Sequence, residues 1–414
     1  MFMKHVLILC DLFPPAFGPR MGYLCKYLKQ NGWHPTVLSE HLPDETFAFL
    51  KGDTDVSFIR YHRSESHWER MKITLLEVLF GYKNRRMVQE AEKKLKQRRY
   101  DVLLCSTYRS FPLPAARKIA RKYRLPFVVD LRDIIEQYSN YEYIAHPLPK
   151  LFGAEKLIAR LFRSHSLRQR NKVLRRADCV TTVSPWHVSV LQRLNPNTQL
   201  ICNGFDPELF APVTIRTPEF RITYTGRLLS SSMRNPELLF KAIARLSREG
   251  IITPETFRIR WFIDPQSKQQ LQQEVKIYPI ADYMDYPGYV PAARIPAILN
   301  ESSMLLLLTN KADENGPKGI MTTKFFEALA VEKPILCVRG DEGCLEEVIR
   351  RTRAGLSAHN EDEVYAFIRR YYLQWQAEKT TSIDVDRKEV QSFSRETQAL
   401  QFIRIFEQIA PHHE

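Results

Sequence analysis

The stretch Lys4-His-Val-Leu-Ile-Leu-Cys10-Asp11-Leu-Phe-Pro-Pro-Ala-Phe-Gly18-Pro-Arg20 decides the fold class. It opens with a short, mostly apolar run that predicts a buried strand, and it continues into a loop rich in proline. Apolar residues then recur at the spacing of a helix face, at Met21, Leu24, Cys25 and Leu28. Asn31-Gly32 ends this helix. The order strand, loop, helix predicts an α/β unit.

The loop between this strand and helix is a candidate ligand-binding loop. Gly18 would let the backbone approach a ligand closely, and the start of the helix offers free N–H groups to an anion. The loop has neither the GxGxxG pattern of dinucleotide-binding proteins nor a Walker motif. A plain turn explains it equally well.

The same alternation continues outward from this stretch. Apolar runs that predict strands lie at 36–38, 56–61, 102–105, 127–129, 179–183 and 199–202, and they resume at 220–225, 257–263, 304–308 and 334–338. Charge-rich helical segments separate most of them, and the last two predicted helices span 361–378 and 388–409. Continuous apolar strands between amphipathic helices predict parallel sheets that are covered on both faces.

A break in this pattern predicts two domains. Residues 206–218 contain three prolines and little periodicity, which is typical of a linker. We therefore predict a first Rossmann-like domain at 1–205, a linker at 206–218 and a second Rossmann-like domain at 219–385. Residues 386–414 are predicted to form a C-terminal helix that returns to the first domain.

Composition limits the class of protein. The purest apolar run, 304–308, is far shorter than the roughly 20 residues of a spanning helix, and the N-terminal sequence lacks a secretory signal. The seven cysteines form no CxxC pair, so buried reduced thiols are expected rather than disulfides. These observations predict a cytoplasmic protein, either free or peripheral on the inner face of the membrane.

The formal net charge of +14 predicts an anionic partner. Basic residues concentrate at 156–176 and at 117–124. Nucleic acid, anionic lipid and phosphorylated small molecules all fit this charge, and so does an ordinary solvated helix face. The basic clusters lack the interleaved aromatics of a recognised nucleic-acid motif, so we predict no nucleic-acid partner.

Ligands of parallel sheets bind beyond the carboxyl ends of the strands, and three such loops carry candidate residues. Gly226, Arg227 and Arg234 lie in a serine-rich bend, where the arginines suit phosphate oxygens or form ordinary surface. Thr322, Thr323, Lys324 and Glu327 open a helix, where Glu327 either binds a ribose or only favours the helix dipole. Arg132 and Asp133 follow a buried strand, where they line a site or pair locally.

Other catalytic classes find no support in the sequence. Ser184-Pro185 follows a strand, but no GxSxG motif surrounds it. The histidines show no metal-ligand spacing, and we predict neither a metal nor a cofactor.

With these residues in hand, the chain resembles glycosyltransferase family 4 over about residues 4–367. The motifs stand in the family's order: Phe13-Pro-Pro, Gly18, Asn31-Gly-Trp-His34, Asp130-Leu-Arg132-Asp133, Ala177-Asp-Cys-Val-Thr-Thr-Val-Ser184, Asn203-Gly-Phe-Asp206, Tyr224-Thr-Gly226-Arg227, Gly288-Tyr-Val-Pro291 and Thr323-Lys-Phe-Phe-Glu-Ala-Leu-Ala330. The resemblance implies the GT-B fold, in which two Rossmann-like domains face a central cleft.

The resemblance also implies roles for these residues. Arg227, Arg234 and Lys324, with the amides near Thr322 and Thr323, would bind the diphosphate of a UDP- or GDP-sugar, and Glu327 would hold its ribose. Tyr289 and Val290 would lie against the base. Gly18 would face the donor from the first domain, and Arg132 or Asp133 would line the cleft near the acceptor.

One departure from the family pattern puts the donor sugar in doubt. Many members place a glutamate eight residues before the position of Glu327, whereas this chain has Gly319. The family mostly retains anomeric configuration without a protein nucleophile, and the resemblance implies a metal-independent enzyme with a saccharide or lipid-linked acceptor. A nucleotide-sugar epimerase of the same fold and a basic nucleic-acid-binding protein are the alternatives.

The basic segment 156–176 carries one more prediction. It reads as a helix with Leu157, Ile158, Leu161 and Phe162 on one side and basic residues around the rest, and Leu148, Leu151 and Phe152 precede it. A normal core-facing helix fits this pattern. The alternative is a surface that, with 117–124, rests on anionic lipid through residues such as Arg160, Arg163 and Arg170.

Overall fold

The computed structural model describes residues 4–64, 66–138, 154–228, 234–309 and 321–410. It divides into two compact units, one of residues 1–202 with 398–414 and one of residues 203–397. Residues 206–218, predicted as a linker, therefore belong to the second unit. So do residues 386–397, which were predicted to return to the first domain.

The first unit is built on a parallel sheet of seven strands. The strands are β1 Lys4–Cys10, β2 Trp33–Glu40, β3 Asp55–Ile59, β4 Val102–Thr107, β5 Phe127–Leu131, β6 Cys179–Thr182 and β7 Thr198–Leu200, in the order β3-β2-β1-β4-β5-β6-β7. Its helices are α1 Pro19–Gln30, α2 His67–Phe80, α3 Tyr82–Gln97, α4 Leu113–Tyr123, α5 Ala154–Leu174 and α6 Pro185–Leu191. The strand order reverses between β1 and β4, which is where such sheets bind ligands.

Two hydrophobic cores cover this sheet. One lies under α3 and α4, and the other lies under α1 and the C-terminal helix. In the second core the ring centroids of Trp33 and Phe406 are 5.3 Å apart, and both side chains are buried. The C-terminal helix therefore completes the apolar face that α1 leaves open.

The second unit has a parallel sheet of six strands. They are β8 Phe220–Thr225, β9 Phe257–Phe262, β10 Met284–Asp285, β11 Met304–Leu308, β12 Ile335–Val338 and β13 Gly355–Ala358, in the order β10-β9-β8-β11-β12-β13. The helices are α7 Glu237–Arg248, α8 Pro265–Val275, α9 Ile295–Asn300, α10 Thr323–Ala330, α11 Cys344–Thr352, α12 Glu361–Glu378 and α13 Arg387–Gln391. The C-terminal helix, α14 Arg395–Ile409, begins at the end of this unit and lies mostly in the first unit. Here the strand order reverses between β8 and β11.

The predicted α/β class with two doubly wound parallel sheets is confirmed. The central cleft between the units stays a prediction. The prediction of a single helix at 388–409 was wrong, because residues between α13 and α14 are not helical. There Phe205 N–H donates to the Phe393 carbonyl (3.2 Å) and Arg395 N–H donates to the Phe205 carbonyl (2.7 Å), which uses backbone groups that a continuous helix would need.

Candidate functional site

The candidate site of the second unit begins at Gly226, directly after β8. Gly226 has φ +123°, and a Cβ added there would lie 1.3 Å from Nζ of Lys324. Lys324 stands in the first turn of α10, so its side chain reaches from that helix to the end of β8. Glycine at 226 is what leaves space for the ammonium group.

Lys324 is a half-buried cation among other cations. Burial, together with the nearby Arg234 and Arg227, lowers its pKa to about 8, and Glu327 opposes this shift. Its Nζ also lies 5.9 Å from the centroid of the Tyr224 ring. A group of positive charges held this close together is suited to an anion, because an anion would relieve their mutual repulsion.

Arg234 is fixed by the loop that follows β8. Its Nη1 donates to the Tyr224 hydroxyl (3.1 Å) and to the Arg227 carbonyl, and the Tyr224 hydroxyl itself donates to that carbonyl (3.0 Å). Burial raises the pKa of Tyr224, so the hydroxyl stays neutral and remains a donor. The loop thus positions the guanidinium before any ligand arrives.

Helix α7 follows this loop. It begins at Glu237, with Pro236 as the capping residue. The side chain of Asn235 accepts the Glu237 N–H (2.8 Å). Residues 229–233, the serine-rich middle of this loop, lie outside the described residues.

The N-terminus of α10 presents backbone donors beside Lys324. Thr322 caps the helix with an extended backbone (ψ 157°), and in the described part of the chain neither its side chain nor an acid in the first turn bonds the free N–H groups. Thr322 is exposed, and Thr323 is half-buried. Free amides and the helix dipole here favour a bound anion.

Glu327 lies one turn further along α10. Burial raises the pKa of its carboxyl group to about 6, against the opposing influence of Arg395 and Lys324. A carboxylate that is partly withdrawn from water and close to a cation can accept hydrogen bonds from ligand hydroxyls. Residues 310–320, including Gly319, are outside the described range.

The structure does not join Tyr289 and Val290 to this group. Tyr289 follows Gly288 (φ +85°) and is 73% exposed, and Val290 is half-buried. Within the described residues no hydrogen bond, ion pair or ring contact connects either one to Lys324. Their contact with a base stays a prediction.

In the first unit, Arg132 and Asp133 lie beyond the carboxyl end of β5. Arg132 pairs with Asp11, which directly follows β1, and its guanidinium lies 5.4 Å from the Tyr108 ring centroid. Asp133 accepts the Tyr138 hydroxyl (3.4 Å), and burial raises the pKa of its carboxyl group. Arg132 therefore pairs across the sheet with Asp11, rather than with a neighbouring aspartate of its own segment as the alternative prediction had it.

Asp130, two residues earlier, belongs to a buried network. It accepts Nε (3.1 Å) and Nη2 (2.9 Å) of Arg20, the Ser106 hydroxyl (2.8 Å) and the Thr181 hydroxyl (2.8 Å). Despite burial, Arg20 and these donors lower the pKa of Asp130. Sequence reasoning missed Arg20 and Asp11 as partners. The signal for Asp11 was a charge directly after the first strand, whereas Arg20 lies at the start of α1 and gave no signal of its own.

Gly18 is required by its own loop. It caps α1 with an extended backbone, and a Cβ added there would lie 2.8 Å from backbone atoms of Leu12 and Phe13. Close packing therefore explains this glycine without a ligand, and its contact with a donor stays a prediction.

The basic segment of α5 departs from its predicted role at one residue. Arg170 is buried and forms two hydrogen bonds of 2.6 Å with Glu136, so it is not available to a lipid surface. Arg163 donates to the Tyr138 carbonyl (2.8 Å). Arg160 is exposed, and so are Leu157, Ile158 and Leu161, which do not face the core. Leu148, Leu151 and Phe152 are outside the described residues.

Groups of metal ligands and membrane-spanning helices are both absent from the described residues. No three His, Cys, Asp or Glu side chains in these residues are grouped as metal ligands. No helix in the same residues is long and apolar enough to cross a membrane.

Part of the chain is similar in sequence to a known protein family. Residues 17–204 match the family model described as the glycosyl transferase 4-like domain. These residues, a little less than half of the chain, are similar to that domain. The resemblance to glycosyltransferase family 4 is thereby confirmed. The domain contains Gly18, Arg132 and Asp133, and it ends two residues beyond the first unit.

A curated relative supports the match to the glycosyl transferase 4-like domain. It is WcaL of Escherichia coli (strain K12), provisionally named a colanic acid biosynthesis glycosyltransferase, and it is 20% identical over 189 residues. The alignment covers 45% of this chain and 45% of WcaL, so the chain matches less than half the length of that relative.

Two solved structures share the fold of nearly the whole chain. Alr3699/HepE from Anabaena, in complex with UDP and glucose, aligns with TM-score 0.63 and 15% identity over 98% of this chain and all of that chain. Sucrose-phosphate synthase from Thermosynechococcus elongatus aligns with TM-score 0.61 and 16% identity over 98% of both chains. The predicted GT-B fold is confirmed beyond the glycosyl transferase 4-like domain itself.

Proposed function

We propose that this protein is a glycosyltransferase that moves a sugar from a UDP- or GDP-type donor to a saccharide or lipid-linked acceptor. The observation that carries the proposal is the position of Lys324 against Gly226, near two arginines and a half-buried glutamate. The glycosyl transferase 4-like domain gives independent support. So does Alr3699/HepE, a protein of the same fold whose structure contains UDP and glucose.

The diphosphate of the donor would bind the cationic group. Arg227, Arg234 and Lys324 supply charge, and the amides at Thr322 and Thr323 supply oriented donors. The same groups would stabilise the negative charge that develops on the leaving diphosphate as the sugar departs. This is why we propose that the reaction runs without a metal ion or other cofactor.

Glu327 would hold the ribose. Ionised, it can accept a hydrogen bond from each of two neighbouring hydroxyl groups. Retention of anomeric configuration would follow if the leaving phosphate helps to take the acceptor proton, since no protein nucleophile is assigned. Tyr289 and Val290 at the base, and Gly18, Arg132 and Asp133 in the first unit, remain proposed contacts.

Removing one arginine tests the diphosphate site. Arg227→Ala and Arg234→Ala should each weaken binding of a UDP- or GDP-sugar by roughly ten- to two-hundredfold, because a charge-assisted hydrogen bond contributes about 1.5–3 kcal/mol. The measurement is isothermal titration calorimetry, accompanied by a melting curve. Arg248→Ala, which removes an exposed arginine of α7, is the matched control and should bind as the wild type does.

The same titration separates the alternatives. Tight binding of oligonucleotides together with no binding of UDP, GDP or their sugars would support a nucleic-acid-binding protein and contradict the proposal. Unchanged affinity in both arginine variants would remove these residues from the site. A nucleotide-sugar epimerase would bind the same donors but would change the sugar without any acceptor.

A further inference from the structure

Helix α2 carries its apolar residues on the outside. Trp68 is 77% exposed, Leu75 58% and Leu79 61%, and Met71 and Val78 are exposed as well. These positions recur every three or four residues, so they form one row along the helix. An apolar row normally faces the core of its own domain, and here it faces solvent.

The other side of α2 is the one that packs. Ile73 is buried in the core beneath the helix, and Leu76 packs at its edge. The carboxylates of Glu69 and Glu77, the two acids of the helix, also bind backbone groups of the protein. Glu77 accepts the backbone N–H groups of Lys83 and Asn84, and Glu69, whose side chain is 15% exposed, accepts the Arg63 N–H (3.3 Å). The helix is therefore held from beneath by a small core and its own carboxylates.

Among the described residues of α2 and its flanks, the exposed charges are basic. Lys72 lies beside the row with its Nζ 3.8 Å from the Glu69 carboxylate, and its side chain is still 60% exposed. Arg63 and Arg85 are exposed just before and just after the helix. Because both acids of α2 turn inward, the outer surface combines an apolar row with a cationic rim. Such a surface complements a layer that is apolar inside and anionic at its edge.

We propose that α2 is an interfacial membrane helix that lies in the plane of an anionic lipid bilayer. Trp68, Met71, Leu75, Val78 and Leu79 would enter the boundary between headgroups and acyl chains, and Lys72, Arg63 and Arg85 would meet lipid phosphates. Tryptophan and leucine on one face with lysine and arginine at its rim is the composition that binds this interface. The site is distinct from the basic surface of α5.

Charge argues for lipid rather than a second copy of the chain. A protein with a formal net charge of +14 repels its own copies, and it attracts an anionic surface. The inference does not rest on the proposed function, since α2 would bind lipid whether or not the chain transfers a sugar. If both hold, the helix brings the enzyme to the surface where a lipid-linked acceptor is found.

Tryptophan fluorescence tests the inference directly. Trp33, Trp261 and Trp375 are buried and Trp186 is half-buried, so Trp68, which is 77% exposed, is the tryptophan that lipid can reach most readily. Vesicles of phosphatidylglycerol and phosphatidylcholine in equal parts should shift the emission to the blue, and brominated acyl chains should quench it. Trp68→Phe should abolish most of this quenching while the protein still sediments with the vesicles.

Substitutions in the row provide the decisive comparison. Leu75→Asp with Leu79→Asp should lower the vesicle partition coefficient by about tenfold or more, because each leucine loses its apolar burial. Ile277→Asp is the matched control, since Ile277 is 78% exposed in the second unit, and it should bind vesicles normally. Both variants should keep the wild-type circular dichroism and the wild-type affinity for a nucleotide sugar.

Several results would overturn the inference. Equal sedimentation of the Leu75→Asp/Leu79→Asp protein and the wild type would show that the row does not enter lipid. Loss of binding only with Leu161→Asp would assign the lipid contact to α5 instead. A concentration-dependent dimer in solution that the α2 variant dissociates would identify a second copy as the occupant.

Discussion

At the scale of single residues, Gly226 and Lys324 define the candidate site together. Gly226→Ala should displace the Lys324 ammonium group, because the new Cβ would fall on its nitrogen. We expect affinity for a nucleotide sugar to drop roughly tenfold or more, the value of one charged hydrogen bond. Gly250→Ala is the control, since Gly250 also has positive φ (+68°) but has open space around it.

Comparing Gly226→Ala with Gly250→Ala separates the effect of backbone strain on stability from the effect on ligand binding. Both substitutions place a Cβ on a residue with positive φ, which costs on the order of 1–2 kcal/mol of folding stability. Calorimetric melting should therefore show a lowered melting temperature for both variants, and titration should show weakened binding only for Gly226→Ala. Equal binding by the two variants would mean that the position of Lys324 does not matter.

Lys324 and Glu327 predict the pH dependence of donor binding. Lys324, with a pKa of about 8, loses its charge as pH rises through that value, so affinity should fall on the alkaline side. Glu327, with a pKa of about 6, becomes neutral as pH falls through that value, so affinity should fall on the acid side. Affinity should be highest between the two values.

Calorimetry with a nucleotide sugar checks this profile, because its doubly esterified diphosphate does not titrate in this range. Lys324→Arg should remove the alkaline limb, since arginine stays charged. Glu327→Gln should remove the acid limb and lower the affinity throughout. A flat wild-type profile from pH 5 to 9 would contradict the assigned pKa values.

The residues of this group could be selected from the sequence, whereas their geometry could not. Family motifs singled out Gly226, Arg227, Lys324 and Glu327. In the structure Arg227, Lys324 and Glu327 form a group of interacting charges, and Lys324 lies against Gly226. In the first unit, the order of the strands in the sheet decides which arginines pair with Asp11 and Asp130. Arg20 meets Asp130 across 110 residues of sequence, a pairing that no local pattern encodes.

At the scale of elements, α14 supplies part of the core of the first unit. Phe406 is fully buried there against Trp33. Phe406→Ala should lower the free energy of unfolding by about 3–5 kcal/mol, the usual cost of removing a buried phenylalanine. Chemical denaturation followed by circular dichroism measures this change.

The neighbouring residue provides the control for that measurement. Glu407 is exposed and pairs with Lys4 (2.7 Å) at the surface, so Glu407→Ala should change the unfolding free energy by at most about 1 kcal/mol. If Phe406→Ala were as stable as Glu407→Ala, the C-terminal helix would not be part of the first core.

Helix periodicity predicted where elements form but not which way they face. Residues 361–378 form the predicted helix, because its apolar spacing is long and regular. The apolar residues of α5 and α2 are equally periodic, yet Leu161 and Leu75 point to solvent. Periodicity reports that one side of a helix is apolar, and only the packed structure shows what covers that side.

At the scale of the whole molecule, alternation of strands and helices was enough to predict the fold class. Buried parallel strands need crossover helices on both faces, and that requirement is visible along the entire sequence. The limits of the units were harder to predict, since residues 206–218 contain three prolines and little periodicity but belong to the second unit. Prolines alone do not distinguish a linker from an irregular segment that packs.

Acceptor-dependent turnover is the measurement that tests the proposed function most directly. The protein is incubated in excess chelator with a panel of UDP- and GDP-sugars and a lipid-diphosphate sugar acceptor. We predict release of UDP or GDP only when acceptor is present, together with an acceptor whose mass has grown by one sugar residue. Failure to transfer sugar from any donor that the protein demonstrably binds, or conversion of the donor sugar without acceptor, would contradict the proposed glycosyltransferase.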